Sequence, residues 1–519
     1  MKCISIHVKH DSNLTISCDN EIKIILELER LFNKRYFESS YNPVVFKEQW
    51  KEALEYCYEY VGFNDFDLAV TSWVTASQEK VLKSLINSNA WVNTTHHVAH
   101  ATAAYLTSDF KNPLILSYDG GGNDGTLNLY SIDDNQTCLI DKKPINMGSS
   151  YRLLATIMPE ITHREAQQRK CGNLSLSGKL MGYAALGDVI PHWIEPLKSY
   201  YYNFKSPEQS LNDLTKSLFS NLDDCVELPD KIARDLAASA QKAYEDVVLE
   251  IIEDYITQAN YDGIIITGGC ALNVLTNSRI HEKFKLPVHV PPNPNDSGIS
   301  IGALWHHCPP DGREVITYKG MPAINDLSEK HKEIFDLARP AALEDIANLL
   351  LKGAVIGVLR GRSEVGPRAL GNRSIIAYPN SIELKDRLNN KIKFREWFRP
   401  FAPIVPLEWS TTFLGKEFAS PYMSFSFQLQ DYIENQFPAI AHLDGTSRVQ
   451  TIEREQNPWI YDLLMKIKEL GGYPILLNTS FNIKGKPLIT RYTDAFEILK
   501  ETSLSHILIE DKLVQKSEV

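Results

Sequence analysis

The chain has little that would fix it outside a cell or to a membrane. Eight cysteines stand among 519 residues, no two spaced Cys-x-x-Cys, and none lies beyond Cys308. That scarcity argues against a disulfide scaffold or a zinc ribbon and suits free thiols in a reducing cytoplasm. No apolar run approaches the roughly 18 residues of a membrane-spanning helix. The opening Met-Lys-Cys-Ile-Ser-Ile-His reads as a first strand and not as a signal peptide. Net positive charge is absent too: the formal charge is −11, which excludes a nucleic acid or an anionic membrane as the main partner. What is present is ordinary globular composition, 43% hydrophobic and 23% charged, in a chain too long for one core.

Short β-type runs alternate with helical stretches, so the fold class is α/β. Strands are expected over 3–7, 68–71, 114–119, 263–267, 288–290 and 355–359, and helices over 46–61, 95–106, 232–259 and 343–352. A polar stretch with Pro and Gly over 309–342 marks the boundary between two domains, 1–325 and 340–519.

Four constellations in the first half carry chemistry. His96 and His100 lie four apart in an expected helix, about 6 Å between Cβ atoms, so two imidazoles share one face and can hold one metal ion. Asp119 follows an apolar strand and precedes three glycines, where backbone can approach a ligand closely. Asp296 sits on the Pro-stiffened run Pro-Pro-Asn-Pro-Asn-Asp-Ser-Gly, suited to a metal ligand and equally to a helix N-cap. Two His and two Asp suit Fe(II), Mn(II) or Zn(II) in a redox-neutral role. His10, just after the first strand and before an alternating run that reads as a hairpin, is either a turn residue or a general base for a hydroxyl. Gly268-Gly269, with Asn273, forms a strand-to-helix turn whose amides can meet a nucleotide, as can any tight turn of that kind.

The second half concentrates arginine among glycine and proline: Arg360, Arg362, Arg368 and Arg373, then Lys391, Lys393, Arg395 and Arg399, then Arg448, with Asn478-Thr-Ser480 beyond. Arginine forks hold phosphate oxygens bidentately, so a pocket for two anions is expected. Trp397, Phe398 and Phe401, between the basic residues, are expected in the core.

Together His-His-x-Ala-His-Ala, Gly-Lys179-x-Met-Gly-x-Ala, Gly-Pro-Arg368-Ala-Leu-Gly-Asn-Arg-Ser, Arg-Glu-x-Phe-Arg399-Pro-Phe-Ala-Pro and Leu-Leu-Asn478-Thr-Ser-Phe-Asn resemble the nodulation/cephamycin-type O-carbamoyltransferases, the tobramycin type included, over nearly the whole chain. The resemblance implies an N-terminal actin-like domain, a duplicated RNase H-like unit similar to the tRNA threonylcarbamoyl transferase, and a C-terminal YrdC-like domain. It implies a cytoplasmic, ATP-dependent O-carbamoyltransferase of secondary metabolism, working on carbamoyl phosphate, ATP with Mg(II), and a hydroxyl of a small natural product or sugar. It leaves room for a homodimer and calls for neither nucleic acid nor membrane. By motif position, Arg368 and Lys393 would act on the phosphates. Lys179, Arg395, Arg399, Arg448, Asn478, Ser480, Gly268, Gly269 and Asn273 would bind nucleotide. His96, His100, Asp119 and Asp296 would hold Fe(II) or another divalent transition metal, and His10 would be the base.

Two stretches depart from the family pattern. Leu28-Glu29-Arg30-Leu31 with Asn33-Lys34-Arg35-Tyr36 replaces a Glu-Glu-Arg-Phe and Lys-His segment, and residues 155–175 are atypical. Two other readings stay open: a tRNA-modifying enzyme working through threonylcarbamoyl adenylate, and a nucleotide-binding module without turnover.

Overall fold

A computed structural model describes residues 1–162, 173–219 and 228–519. Cys171, Cys225 and residues 163–172 of the atypical 155–175 stretch, His163 included, lie outside them. The mixed α/β class holds, and the same five-stranded sheet is built twice. In the first sheet Glu21–Glu27, Asn13–Cys18 and Lys2–His7 run antiparallel, then Asp65–Ser72 and Asn87–Thr94 join parallel. In the second, Gln136–Lys143, Leu127–Asp133 and Pro113–Tyr118 repeat the antiparallel trio, with Gly263–Thr267 and Val288–His289 parallel beyond. Identical strand order and sense in both sheets make this half an internal duplication. It is the RNase H-like pair expected of it.

The helices His96–Leu106 and Ile299–His307 cross between the sheets. Their approach needs Gly302: a Cβ there would sit 2.6 Å from the Ala99 carbonyl carbon and 3.0 Å from the Ala103 nitrogen. Ala99, Ala103 and Ala303 line the contact and are buried, so small side chains let the backbones meet.

The C-terminal half is a seven-stranded mixed sheet ordered Gln450–Ile452, Ala402–Pro406, Leu476–Ser480, Arg373–Ala377, Val355–Leu359, His506–Ile509, Lys512–Gln515. One apolar cluster runs from the second sheet and the helix Asp230–Ile256 into this third sheet, so the halves share a packed interface. The 309–342 stretch, which composition marks as the domain boundary, is strapped to the C-terminal half. Isolated bridges pair Pro322 with Arg362, Ile324 with Arg491 and Pro340 with Lys512, and a short helix covers Glu329–Leu337.

The expected strands and helices are all present, with ends moved by a few residues. Asp119 falls just past its strand, Pro113–Tyr118, and the long helix stops at Ile256. Phe398 and Phe401 are in the core, but Trp397 is 52% exposed, a correction. The tight turn after Phe394, at φ 48°, faces Trp397 outward while its neighbours pack inward. The six described cysteines are free thiols, with Cys3 and Cys308 3.1 Å apart in the core.

Candidate metal centre and anion pocket

Both sheets end at one buried site. His7 closes the first central strand, Asp119 follows the second, and the helix Ile299–His307 is led in by Asp296. The helix His96–Leu106 supplies His96 and His100 from its first turns. Its N-terminal amides are capped from outside the helix: the His96 N–H donates to Asn123 Oδ1 (2.9 Å) and the His97 N–H to Asp124 Oδ1 (3.0 Å). The 119–126 loop therefore satisfies donors that the helix cannot, and fixes where the imidazoles point.

One ligand atom from each of His96, His100, Asp119 and Asp296 lies within 4.8 Å of the others, and all four residues are buried. His100 Nε2 is 3.5 Å from Asp119 Oδ2 and 3.4 Å from Asp296 Oδ1, and His96 Nε2 is 3.6 Å from Asp296 Oδ1. Both ring nitrogens of His96, Nε2 of His100 and both Asp296 oxygens have no hydrogen-bond partner. Buried polar atoms are normally paired, so the unpaired His96 Nε2, His100 Nε2 and Asp296 Oδ1, which face one another, fit a divalent transition metal with N and O ligands. Asp119 is held differently: its oxygens accept from the Gly120 N–H (2.5 Å) and the Gly269 N–H (2.6 Å). The neighbouring His97 is no part of this set, since its ring bonds Ser117 Oγ (2.8 Å) and the Gly125 carbonyl (3.0 Å).

Titration follows these contacts. Burial pushes His96 down to about 3. Burial also pulls on His100, but Asp119 and Asp296 outweigh it and raise it to about 9. His10 is 38% exposed and lies 3.4 Å from Asp296 Oδ2 and 3.4 Å from Asp11 Oδ2. Burial lowers it, yet the two carboxylates lift it to about 10. The shift follows from the two carboxylates, since an opposite charge close by favours the charged ring.

The Gly268-Gly269 turn serves this centre from behind. Gly268, at φ 87°, packs where a Cβ would overlap the Tyr118 carbonyl, and its N–H donates to the Pro294 carbonyl (2.8 Å). With Gly269 on Asp119, both amides are engaged within the protein. Asn273 and Gln241 exchange two amide hydrogen bonds (3.0 and 3.1 Å), and Asn273 Oδ1 also caps Thr276 N (3.2 Å). Tyr151 donates to the same Gln241 (2.6 Å).

Arg368, Arg395, Arg399 and Arg448 gather, whereas Arg360, Arg362 and Arg373 of the same expected cluster are spent on backbone carbonyls. Burial lowers Arg448, and the charges of Arg368, Arg395 and Arg399 lower it further. Burial brings Arg368 down to about 10, with Arg399 and Arg35 adding to the shift. Lys393 is depressed by burial, then by Arg395, Arg399 and Arg35. Its ammonium already contacts Ser480 O (2.6 Å), Ser480 Oγ (3.0 Å), Asn482 O (2.8 Å) and Asn482 Oδ1. Arg395 is steered by Asn389 Oδ1 (2.7 Å) and the Pro400 carbonyl (3.1 Å), above the Phe401 ring. Asn478 donates to Ala369 O (3.0 Å) and Gln450 Oε1 (2.7 Å). Glu396 is the acid among them, 2.9 Å from Lys179 and 3.6 Å from Arg399. Like charges pressed together inside a protein repel, so this cluster could hold anions.

Pocket and metal centre adjoin. Gly366, at φ 93° in the arginine-rich loop, rests on the loop that carries Asp296; a Cβ there would sit 3.0 Å from Asn293 Cα and overlap the Pro292 carbonyl. Arg30 bridges the halves, paired with Glu27 (2.7 Å) and donating to the carbonyls of Glu364 and of Gly366 (2.6 Å). Of the segment that departs from the family pattern, Arg30 is thus a brace, whereas Arg35 adds charge to the anion pocket. His7, Asn123, Asp124, Arg35 and Glu396 were not singled out in the sequence. Of these only Asn123 and Asp124 had a visible signal, polar residues just past the three glycines.

The described residues thus combine a duplicated five-stranded sheet pair, a buried His/Asp cluster that could hold a metal ion, and a group of buried arginines on the third sheet's side. The carbamoyltransferase N-terminus model matches residues 18–305 and the carbamoyltransferase C-terminus model residues 347–516. The chain belongs to the carbamoyltransferase family and is a carbamoyltransferase. It is 30% identical to nodulation protein NolO of Bradyrhizobium diazoefficiens, over 81% of this chain and 78% of that one. It is 27% identical to nodulation protein U of Rhizobium tropici, over 100% and 97%. An uncharacterized protein of Methanocaldococcus jannaschii, MJ1051, is 31% identical over 81% and 82%.

Proposed function

We propose that the chain is an ATP-dependent O-carbamoyltransferase acting in two stages on a hydroxyl of a small natural product or sugar. The observation that carries this reading is the contact between the two sites, with the arginine-rich loop seated on the loop of Asp296. In the first stage carbamoyl phosphate and water give carbamate and phosphate. A carbamate oxygen then attacks the α-phosphorus of ATP, and pyrophosphate leaves with Mg(II). Carbamate is a poor acyl donor, whereas its mixed anhydride with AMP has a good leaving group. Arg368, Arg395, Arg399 and Arg448, with Arg35, would offset the phosphates and the charge that develops in transit. Lys393 and Asn478 would fix the strand Leu476–Ser480 that floors this pocket, with Ser480 at its end. Lys179 would hold Glu396, and through it Arg399.

In the second stage the acceptor oxygen attacks the carbamoyl carbon and AMP leaves. His96, His100, Asp119 and Asp296 would hold a divalent metal, Fe(II) or a similar ion, which when bound supplies a Lewis acid for a phosphate oxygen. His10, relieved of its proton when Asp296 is neutralised, would take the hydroxyl proton. Gly268, Gly269 and Asn273 would shape the surface against which the nucleotide lies. Adjoining sites keep a hydrolysable intermediate away from bulk water. All these reactants are small and soluble, as a cytoplasmic enzyme requires.

The test is a pair of variants. His100→Ala should abolish transfer and leave carbamoyl adenylate synthesis, while Arg368→Ala should abolish both. Normal transfer by His100→Ala would remove the metal assignment.

A further inference from the structure

We propose that His7 is a positioning residue for the metal centre, donating from Nε2 to one oxygen of Asp296 so that the other faces His96 and His100. The inference rests on the metal reading above. Asp296 presents two faces. Oδ1 lies 3.6 Å from His96 Nε2 and 3.4 Å from His100 Nε2, whereas Oδ2 lies 3.6 Å from His7 Nε2. His7 is 0% exposed and is fixed by its strand, paired with Asn13 on one side and Ser72 on the other. Neither of its ring nitrogens has a conventional hydrogen-bond partner, although the site is wholly buried. An ionised carboxylate only accepts, so the neutral ring meets it as the Nε2–H tautomer. His10 approaches the same oxygen at 3.4 Å but is part-exposed and shared with Asp11. His7 is therefore the buried partner of this oxygen and His10 the part-exposed one. Asn13 fixes the same residue from the backbone, donating to the Asp296 carbonyl (2.8 Å). A hydrogen bond to the free oxygen of a ligating carboxylate sets its orientation, and loss of such partners lowers metal affinity about 10–100-fold.

The experiment titrates Co(II) into metal-free full-length protein and follows both affinity and the visible d–d absorption. His7→Leu should weaken Co(II) about 10–100-fold and shift the absorption bands, while His7→Gln, which keeps an N–H donor, should stay within about threefold of wild type. Wild-type affinity and spectrum in His7→Leu would overturn the proposal. So would a His7→Gln variant as weak as His7→Leu, because His7 would then be a ligand and not an anchor. If His7→Leu does not fold, His7→Gln alone decides by the same threefold criterion. His100→Ala is the control: retention of Co(II) there would sink the metal reading itself, whereas its loss beside an unaffected His7→Leu would sink only the role of His7.

Discussion

Replacing Gly302 by alanine tests whether the helix crossing holds the metal ligands in place. The new Cβ would lie 2.6 Å from the Ala99 carbonyl carbon and 3.0 Å from the Ala103 nitrogen. The Ala99 carbonyl oxygen is closer still, and comfortable carbon–carbon contact begins at about 3.5 Å, so the two helices must part by at least about 1 Å at the crossing. Both clashing groups are backbone, so no side chain can swing aside. One helix carries His96 and His100 on either side of Ala99, and the other begins just after Asp296. Metal sites tolerate errors of about 0.2 Å in ligand distance, so a 1 Å displacement exceeds the tolerance severalfold. Overpacking of this kind costs about 1–3 kcal/mol. Thermal unfolding of the metal-free protein and Co(II) titration measure the two effects separately. The Gly302→Ala variant should melt below wild type and bind Co(II) at least about tenfold more weakly. Wild-type values in both would refute the claim that this crossing sets the ligand geometry.

Two further outcomes follow from the interface between the halves. Arg30→Ala leaves Glu27 buried and the carbonyls of Glu364 and Gly366 without their donor, so chemical denaturation should show a loss of about 3–5 kcal/mol; a change below 1 kcal/mol would remove Arg30 as a brace. Burial raises the Glu396 carboxyl, but Lys179 and Arg399 outweigh that and hold it at about 2, below its ordinary 4.5. A depressed carboxyl contributes stability above its unfolded value and loses it as the pH falls, so this contribution should fade between about pH 4.5 and 2. Stability followed by tryptophan fluorescence should therefore fall with pH across that window in wild type, and Glu396→Gln should flatten that part of the curve; an unchanged slope would contradict the assignment.

Much of this was legible in the residues because the signals were local. Helical spacing revealed His96 and His100, and apolar strands running into glycine revealed Asp119 and the turn at Gly268. The arginine clustering revealed the pocket. What could not be read depends on distant contacts. His7 looks like any polar residue at a strand end until Asp296, 289 positions on, is folded against it. Arg30 and Arg35 are one short turn apart, yet one is spent on backbone carbonyls and the other adds to the anion pocket. Trp397 misled because its neighbours Phe398 and Phe401 are core residues, and a left-handed turn at Phe394 reverses which of them face inward. Nor does composition show that the 309–342 stretch is bridged to Arg362, Arg491 and Lys512.

The most direct measurement is mass spectrometry of the purified chain given carbamoyl phosphate, ATP and Mg(II) with no acceptor present. The account predicts carbamoyl adenylate and stoichiometric pyrophosphate, with formation lost in Arg368→Ala. Folded, metal-replete protein that forms no adenylate would contradict it and would leave carbamoyl transfer to proceed by another activated donor.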